Sequence, residues 1–175
     1  MTEQSLPKQQ VSRDGGKFLT FSLAREEYGL LINQVKEIIG MMPVSSIPQT
    51  PQFIKGVINL RGKVIPIIDL RLKFGMEETQ HSEKTCIIVI ERKKGSGARS
   101  MGIIVDSVSE VLTIRPENID PPPAWAGIEN NTYIEGIAKT GNTIKMLLNI
   151  EEVLTGHDHG SWQTPSTSTD LENAA

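Results

Sequence analysis

This sequence contains two passages twice over, and a chain built that way must satisfy one folding pattern in two places. Residues 53–74, FIKGVINLRGKVIPIIDLRLKF, align without a gap with residues 133–154, YIEGIAKTGNTIKMLLNIEEVL, at a shift of 80. Aromatic meets aromatic (Phe53, Tyr133), Ile54-x-Gly56 meets Ile134-x-Gly136, and Asp69 meets Asn149. A second pair, GLLINQVKEII (29–39) and GIIVDSVSEVL (102–112), aligns at a shift of 73. Two matches in the same order indicate a duplicated unit. They predict two similar β-rich halves, spanning 17–80 and 81–155. Each half would curl its strands, about five, into a small barrel with no exposed edge.

The local pattern agrees with an all-β fold carrying short helices. KFLTFSLA and EYGLLI read as a hairpin joined through Arg25-Glu26, and TCIIVIE and SMGIIVD as another across the loop RKKGSGAR. GVINL and KVIPIID form a third around Arg61-Gly62, and YIEGIAK and TIKMLLN a fourth around Gly141-Asn142. VKEII reads as extended or as one short helical turn. Thr50-Pro51 has the form of an N-cap followed by Pro at the first helical position. Asp69 and Asn149 read as N-caps of short helices, with Gly75 stopping the first. Pro66 in a strand suggests an edge or a bulge.

The two copies differ at one hairpin tip. Where the first has Asn59-Leu60-Arg61-Gly62, the second has Lys139-Thr140-Gly141-Asn142. Gly-Asn suits positive φ, so the pattern does not by itself demand Asn59 or Arg61. Arg61 is then either a solvated side chain or a flat five-donor fork offered to a partner. Glu37 raises the same question. Its repeat mate is Glu110, so acidity there can be structural, or Glu37 can pair with Arg61 and orient it. An exposed pair contributes only about 0–1 kcal/mol, which makes presentation the more plausible task.

At 175 residues the chain can bury roughly two thirds of its surface, so its core needs no disulfide or metal. Its single cysteine, Cys86, lies in an apolar run and cannot form an intramolecular bridge. That fits a reducing cytoplasm. Net charge is −3 and the pI about 5.7, against the basic face usual for nucleic-acid binders. No apolar run approaches transmembrane length, and the polar N-terminus lacks a signal-peptide core. Residues 1–16 and 156–175 read as disordered tails.

No catalytic constellation stands out. The loop KKGSGAR lacks phosphate-loop spacing, His157-Asp158-His159 lacks further metal ligands, and His81 reads as a loop residue. Trp125, after Pro121-Pro122-Pro123, reads as a packing plug. The expectation is a protein with no cofactor and no metal.

The motifs VKEII, FIKGVINLRGKVIPIIDLRLKFG, GIIVDSVSEVL and YIEGIAKTGNTIKMLLNIEEVL resemble the CheW family of chemotaxis coupling proteins over roughly residues 17–155. The resemblance implies two interlocked five-stranded SH3-like β-barrels and no catalytic activity. It implies a scaffold that bridges the cytoplasmic hairpin tip of chemoreceptors and the regulatory domain of the chemotaxis histidine kinase. The receptor groove between the halves would be lined by Val35, Glu37, Ile38, Gly56, Asn59 and Arg61, all of which match the family pattern. Val35 and Ile38 would take a helix's apolar stripe, and Asn59 and Arg61 its polar flanks. The kinase contact is expected in the second barrel. Such a protein would be cytoplasmic and recruited to membrane receptor arrays without inserting in the bilayer. Alternatives are a small β-barrel adaptor of a related two-component pathway and a nucleic-acid-binding barrel. The latter needs a basic, aromatic-studded face, for which four Phe, two Tyr and two Trp are available.

Overall fold

A computed structural model describes residues 12–93, 98–123 and 133–155. The expectations for residues 1–11, for Trp125, for the 157–159 triplet and for the tail from 156 lie outside the described residues. Ser12–Asp14 form a 3-10 turn and Gly16 begins the first strand.

Among the described residues, eleven strands form two sheets. β1 (Gly16–Leu23) and β2 (Glu26–Leu31) pair antiparallel through a two-residue turn whose Ala24 has φ 54. A 3-10 turn at Ile32–Gln34 leads into β3 (Val35–Gly40), so VKEII is extended. β4 (Ile54–Leu60) and β5 (Lys63–Asp69) form the next hairpin, followed by the short α1 (Leu70–Lys73). β6 (Cys86–Lys93) pairs with β7 (Ala98–Val105), which runs almost directly into β8 (Ser107–Ile114). β9 (Ile119–Asp120) precedes the hairpin of β10 (Ile134–Thr140) and β11 (Thr143–Leu148), closed by α2 (Ile150–Thr155).

All four hairpins form as the alternating pattern predicts, the first turning at Ala24-Arg25 rather than Arg25-Glu26, and Asp69 and Asn149 cap as expected. The Asp69 carboxylate accepts from the Leu72 N–H at 3.3 Å, and Asn149 Oδ1 accepts from the Glu152 N–H at 3.2 Å. The copies also share a backbone bond, from the Asp69 N–H to the Phe53 carbonyl and from the Asn149 N–H to the Tyr133 carbonyl, each 2.8 Å. One local expectation fails. Thr50-Pro51 opens no helix; the Thr50 hydroxyl turns back to the Ile47 carbonyl at 2.9 Å, and the Ile54 N–H closes a turn on the Pro51 carbonyl at 3.0 Å. Pro66 sits in an interior strand, but next to the irregularity in the β4–β5 register between Ile54 and Gly56, and one residue before β5 begins its parallel ladder with β7 at Ile67.

The division into two contiguous barrels is corrected by the sheet order. One sheet runs β8-β1-β2-β11-β10-β9 and the other β3-β6-β7-β5-β4. Each therefore takes strands from both copies, and the cut at residue 80 separates neither. Two parallel seams join the copies, β2 to β11 and β5 to β7. At each seam a glycine faces an aliphatic residue of the other copy, Gly29 against Leu147 and Gly102 against Ile67. A Cβ on Gly29 would stand 2.9 Å from Leu147 Cδ2, and one on Gly102 2.6 Å from Ile67 Cδ1. The chain crosses between sheets twice, at Ile32–Gln34 and at Asp106.

Three cores follow from strand alternation. Phe18, Leu31, Ile114, Ile119, Ala138 and Leu147 fill the first sheet's interior, and Ile58, Ile65, Ile67, Ile87, Val89 and Ile104 the second's. A larger shared layer, including Phe21, Leu30, Ile68, Ile88 and Ile103, lies between them. The second sheet closes on itself where Ser45 and Val57 exchange two backbone hydrogen bonds of 2.9 Å. We call the first sheet barrel A and the second barrel B.

Asp106 marks the second crossing and ties both barrels together. Its carboxylate accepts from Arg71 Nε and a terminal guanidinium nitrogen, both at 2.8 Å, and from the Ala24 N–H at 2.7 Å. Burial alone would raise its pKa, but these donors outweigh it and hold the carboxyl below the usual carboxylate range. A depressed folded pKa adds stability above the unfolded value near 3.9, and that stability is lost as pH falls through the folded value. Asp106→Asn is therefore expected to cost about 1.5–3 kcal/mol at pH 7, read as a lower urea midpoint. The gap to wild type should close on acidification below about pH 4; equal midpoints at pH 7 would contradict the assignment.

Candidate functional face

The six residues singled out by sequence fall on β3, β4 and the β4–β5 tip, all in barrel B. Two of them are in direct contact. Glu37 and Arg61 make an ion pair, with the Arg61 side chain 68% exposed and that of Glu37 26%. This pair brings together β3 and β4, the two edge strands of the sheet, as barrel closure requires. Ile38, the next residue of β3, is an exposed apolar side chain, and Asn59 lies on β4 below the tip.

The tip explains Asn59. Arg61 and Gly62 both have positive φ, 51° and 87°, as a type I′ hairpin turn requires. The equivalent turn of the other copy has Gly141, φ 61°, where this one has Arg61. An Arg there costs roughly 1–2 kcal/mol of backbone strain, and Asn59 braces it: its Oδ1 accepts from the Gly62 N–H at 2.9 Å. In the second copy the brace is the Thr143 hydroxyl, donating to the Thr140 carbonyl at 3.0 Å. Asn59 therefore serves the turn itself, a role that comparing the copies by sequence did not reveal.

Gly56 and Val35 lie deeper. Gly56 is buried with φ 140°, and a Cβ there would stand 1.9 Å from the Ser45 carbonyl oxygen. It lets the 41–53 segment close the barrel and offers no surface of its own. Gly136, its repeat mate, is hemmed in likewise, 2.8 Å from Ile119 Cγ2. Val35 is half-buried against the layer between the barrels.

Three further exposed residues that sequence reading passed over lie on β3 and β5. Lys36 shares the outward side of β3 with Ile38. Val64 stands directly across from Asn59 in the β4–β5 ladder, and Lys63 begins β5 beside the tip. The signal available was the repeat itself, which pairs Val64 with Ile144 and Lys63 with Thr143.

Elsewhere, no cluster of three or more metal-ligating side chains occurs among the described residues. Cys86 is half-buried, and desolvation pushes its thiol pKa up, against a weaker lowering from a backbone bond to Val108. It is thus a poor nucleophile. His81 is exposed in the 76–85 connection.

Fold and face together define a paired-β-barrel module that offers a basic and apolar surface. The profile of the CheW-like domain matches residues 17–157. The chemotaxis protein CheW of Klebsiella aerogenes is 42% identical over 144 residues, spanning 82% of this chain and 84% of the relative. That of Helicobacter pylori is 32% identical over 147 residues, 84% and 86% of the two chains. The crystal structure of the scaffolding protein TtCheW from Thermoanaerobacter tengcongensis superposes with a TM-score of 0.71 at 38% identity, covering 79% of this chain and 92% of that one. The chain belongs to the CheW family.

If strain at the tip is the cost of displaying a guanidinium, relieving it should not weaken the fold. Arg61→Gly is expected to leave stability unchanged or raise it by up to about 1 kcal/mol. Arg61→Val, β-branched at positive φ, should lower it by about 1–2 kcal/mol. Urea unfolding of both variants checks this; a clear loss in Arg61→Gly would contradict it.

Proposed function

We propose that this protein is a non-catalytic coupler that joins the cytoplasmic hairpin tip of chemoreceptors to the regulatory domain of the chemotaxis histidine kinase. Family membership makes it a chemotaxis adaptor rather than an enzyme. The face on β3 and the β4–β5 tip is the receptor side of this reading. One observation carries it: of two equivalent hairpin tips, only one holds an Arg in a strained left-handed conformation, braced by Asn59 and paired with Glu37. Strain kept at one copy of a duplicated feature points to a task that the fold does not set.

A receptor tip is helical, so Ile38 would meet its apolar stripe while Arg61 donates to polar groups beside it. Glu37 restricts the guanidinium to a few orientations, which reduces the ordering cost on binding. Gly56 and Val35 act indirectly, Gly56 by letting β4 close the barrel and Val35 by seating the start of β3. The kinase contact is assigned to barrel A, which holds β8 to β11 of the second copy. The protein would act in the cytoplasm, held at receptor arrays through these contacts. Among the described residues no helix is long and apolar enough to cross a membrane.

Co-sedimentation with a receptor cytoplasmic fragment and the kinase tests the proposal. Arg61→Ala should weaken receptor binding by roughly tenfold or more while kinase binding is kept. Receptor binding equal to wild type would remove the face from the interface.

A further inference from the structure

The shift of 80 places Arg71 of α1 over Glu151 of α2, each the second residue of its helix, with opposite charges. Both tie their helix to the other barrel. α1 follows β5 of barrel B, and the Arg71 guanidinium donates through Nε and a terminal nitrogen, both at 2.8 Å, to Asp106 at the second crossing. The same carboxylate accepts the Ala24 N–H from the β1–β2 turn of barrel A at 2.7 Å. The other terminal nitrogen of Arg71 donates to the Glu77 carbonyl at 3.3 Å, which draws in the connection to β6. α2 follows β11 of barrel A, and Glu151 accepts from Arg92 on β6 of barrel B at 3.0 and 3.2 Å, through one carboxylate oxygen. The two ties share no residue, and their polarity is reversed.

Between these ties the barrels meet through apolar and aromatic side chains. Phe21 and Tyr28 of barrel A stack with ring centroids 5.8 Å apart, Tyr28 meets Phe74 at the end of α1 at 5.7 Å, and Phe74 meets Tyr133 at 5.6 Å. Burial of such a layer resists separation, but it is non-directional and sets no angle. Packed elements can slide across it by small shear movements. A guanidinium fork on a carboxylate does set an angle, because two parallel bonds must stay in line. The Arg71 and Asp106 side chains are only 18% and 26% exposed, so water competes for this fork less than for that of Arg61. The Arg92–Glu151 tie rests on a single oxygen and constrains direction less.

We infer that Arg71 and Asp106 are positioning residues for coupling: their paired bonds fix the angle between the barrels, with Arg92–Glu151 as a second, looser tie. This rests on the reading that barrel B takes the receptor and barrel A the kinase. A change at one partner then reaches the other only as far as that angle holds. In that reading neither residue lies on a partner face, so binding of either partner alone does not depend on it.

Paired spin labels on the full chain test the inference, one at Lys17→Cys on β1 and one at Lys63→Cys on β5, both exposed, with Cys86→Ser removing the native thiol. Pulsed electron paramagnetic resonance should give one narrow distance distribution for the wild-type clasp. Asp106→Asn should broaden it. Arg71→Lys, which keeps the charge and loses the fork, should broaden it while the protein stays folded, and Glu151→Gln should broaden it less. Glu27→Gln is the control. It deprives Lys145, buried in the β2–β11 seam, of its carboxylate, a loss confined to barrel A, and should leave the distribution as in wild type. Without labels, Arg71→Lys should bind a receptor cytoplasmic fragment and the kinase singly within about twofold of wild type. Receptor-dependent kinase activity of the three together should fall roughly fivefold or more. An unchanged distribution in both clasp variants, equal broadening in Glu27→Gln, or full kinase activity with Arg71→Lys would overturn the inference and leave the docking reading standing. Receptor binding unaffected by Arg61→Ala would overturn the docking reading and the coupling role with it, whatever the distances show.

Discussion

Two parallel seams hold this protein together. At each, a strand of one copy lies against a strand of the other, and a glycine makes room for an aliphatic side chain: Leu147 on Gly29, Ile67 on Gly102. Parallel pairing needs a long connection between its strands, and duplication supplies it, because the partner strand lies in the other copy. The first copy gives its first two strands to barrel A and its other three to barrel B, and the second gives its first two to barrel B and its other four to barrel A. Neither copy alone can complete a barrel, and the layer between the barrels draws on both. The fold is therefore a single cooperative unit, and Asp106, at the second crossing, bonds to the β1–β2 turn and to α1 at once.

Duplication also separates what the scaffold requires from what was added to it. The caps at Asp69 and Asn149, the buried glycines at 56 and 136 and the paired backbone bonds recur in both copies and belong to the scaffold. The strained Arg61 and the exposed cations Lys36 and Lys63 occur in one copy only. A rigid double barrel with one specialised face suits an adaptor, which must hold two partners in fixed relation. The shared apolar core supplies that rigidity, while the face adds little to stability, since its ion pair is exposed.

What could be read from the sequence was local or repeated. Four hairpins, two capped helices and the Glu37–Arg61 pair follow from alternation, capping chemistry and the alignment of the copies. The exchange of strands could not be read, because the seams are contacts between residues more than 30 apart and nothing in β2 or β5 names its parallel partner. Asn59 was taken for a contact residue alone because its bond to the Gly62 N–H becomes evident only once Arg61 is known to be left-handed. Thr50-Pro51 looked like a helix start, yet the Thr50 hydroxyl found the Ile47 carbonyl instead. Lys36, Lys63 and Val64 went unremarked because nothing in the sequence separates them from ordinary surface residues.

The central claim is that one barrel face, and not its repeat-related counterpart, meets the receptor. Backbone amide shifts of the isotope-labelled protein, titrated with a receptor cytoplasmic fragment, test it most directly. The account predicts that perturbations centre on β3 and the β4–β5 tip and leave β8 and the β10–β11 tip undisturbed. Perturbations centred on the second tip, or spread equally over both, would contradict it.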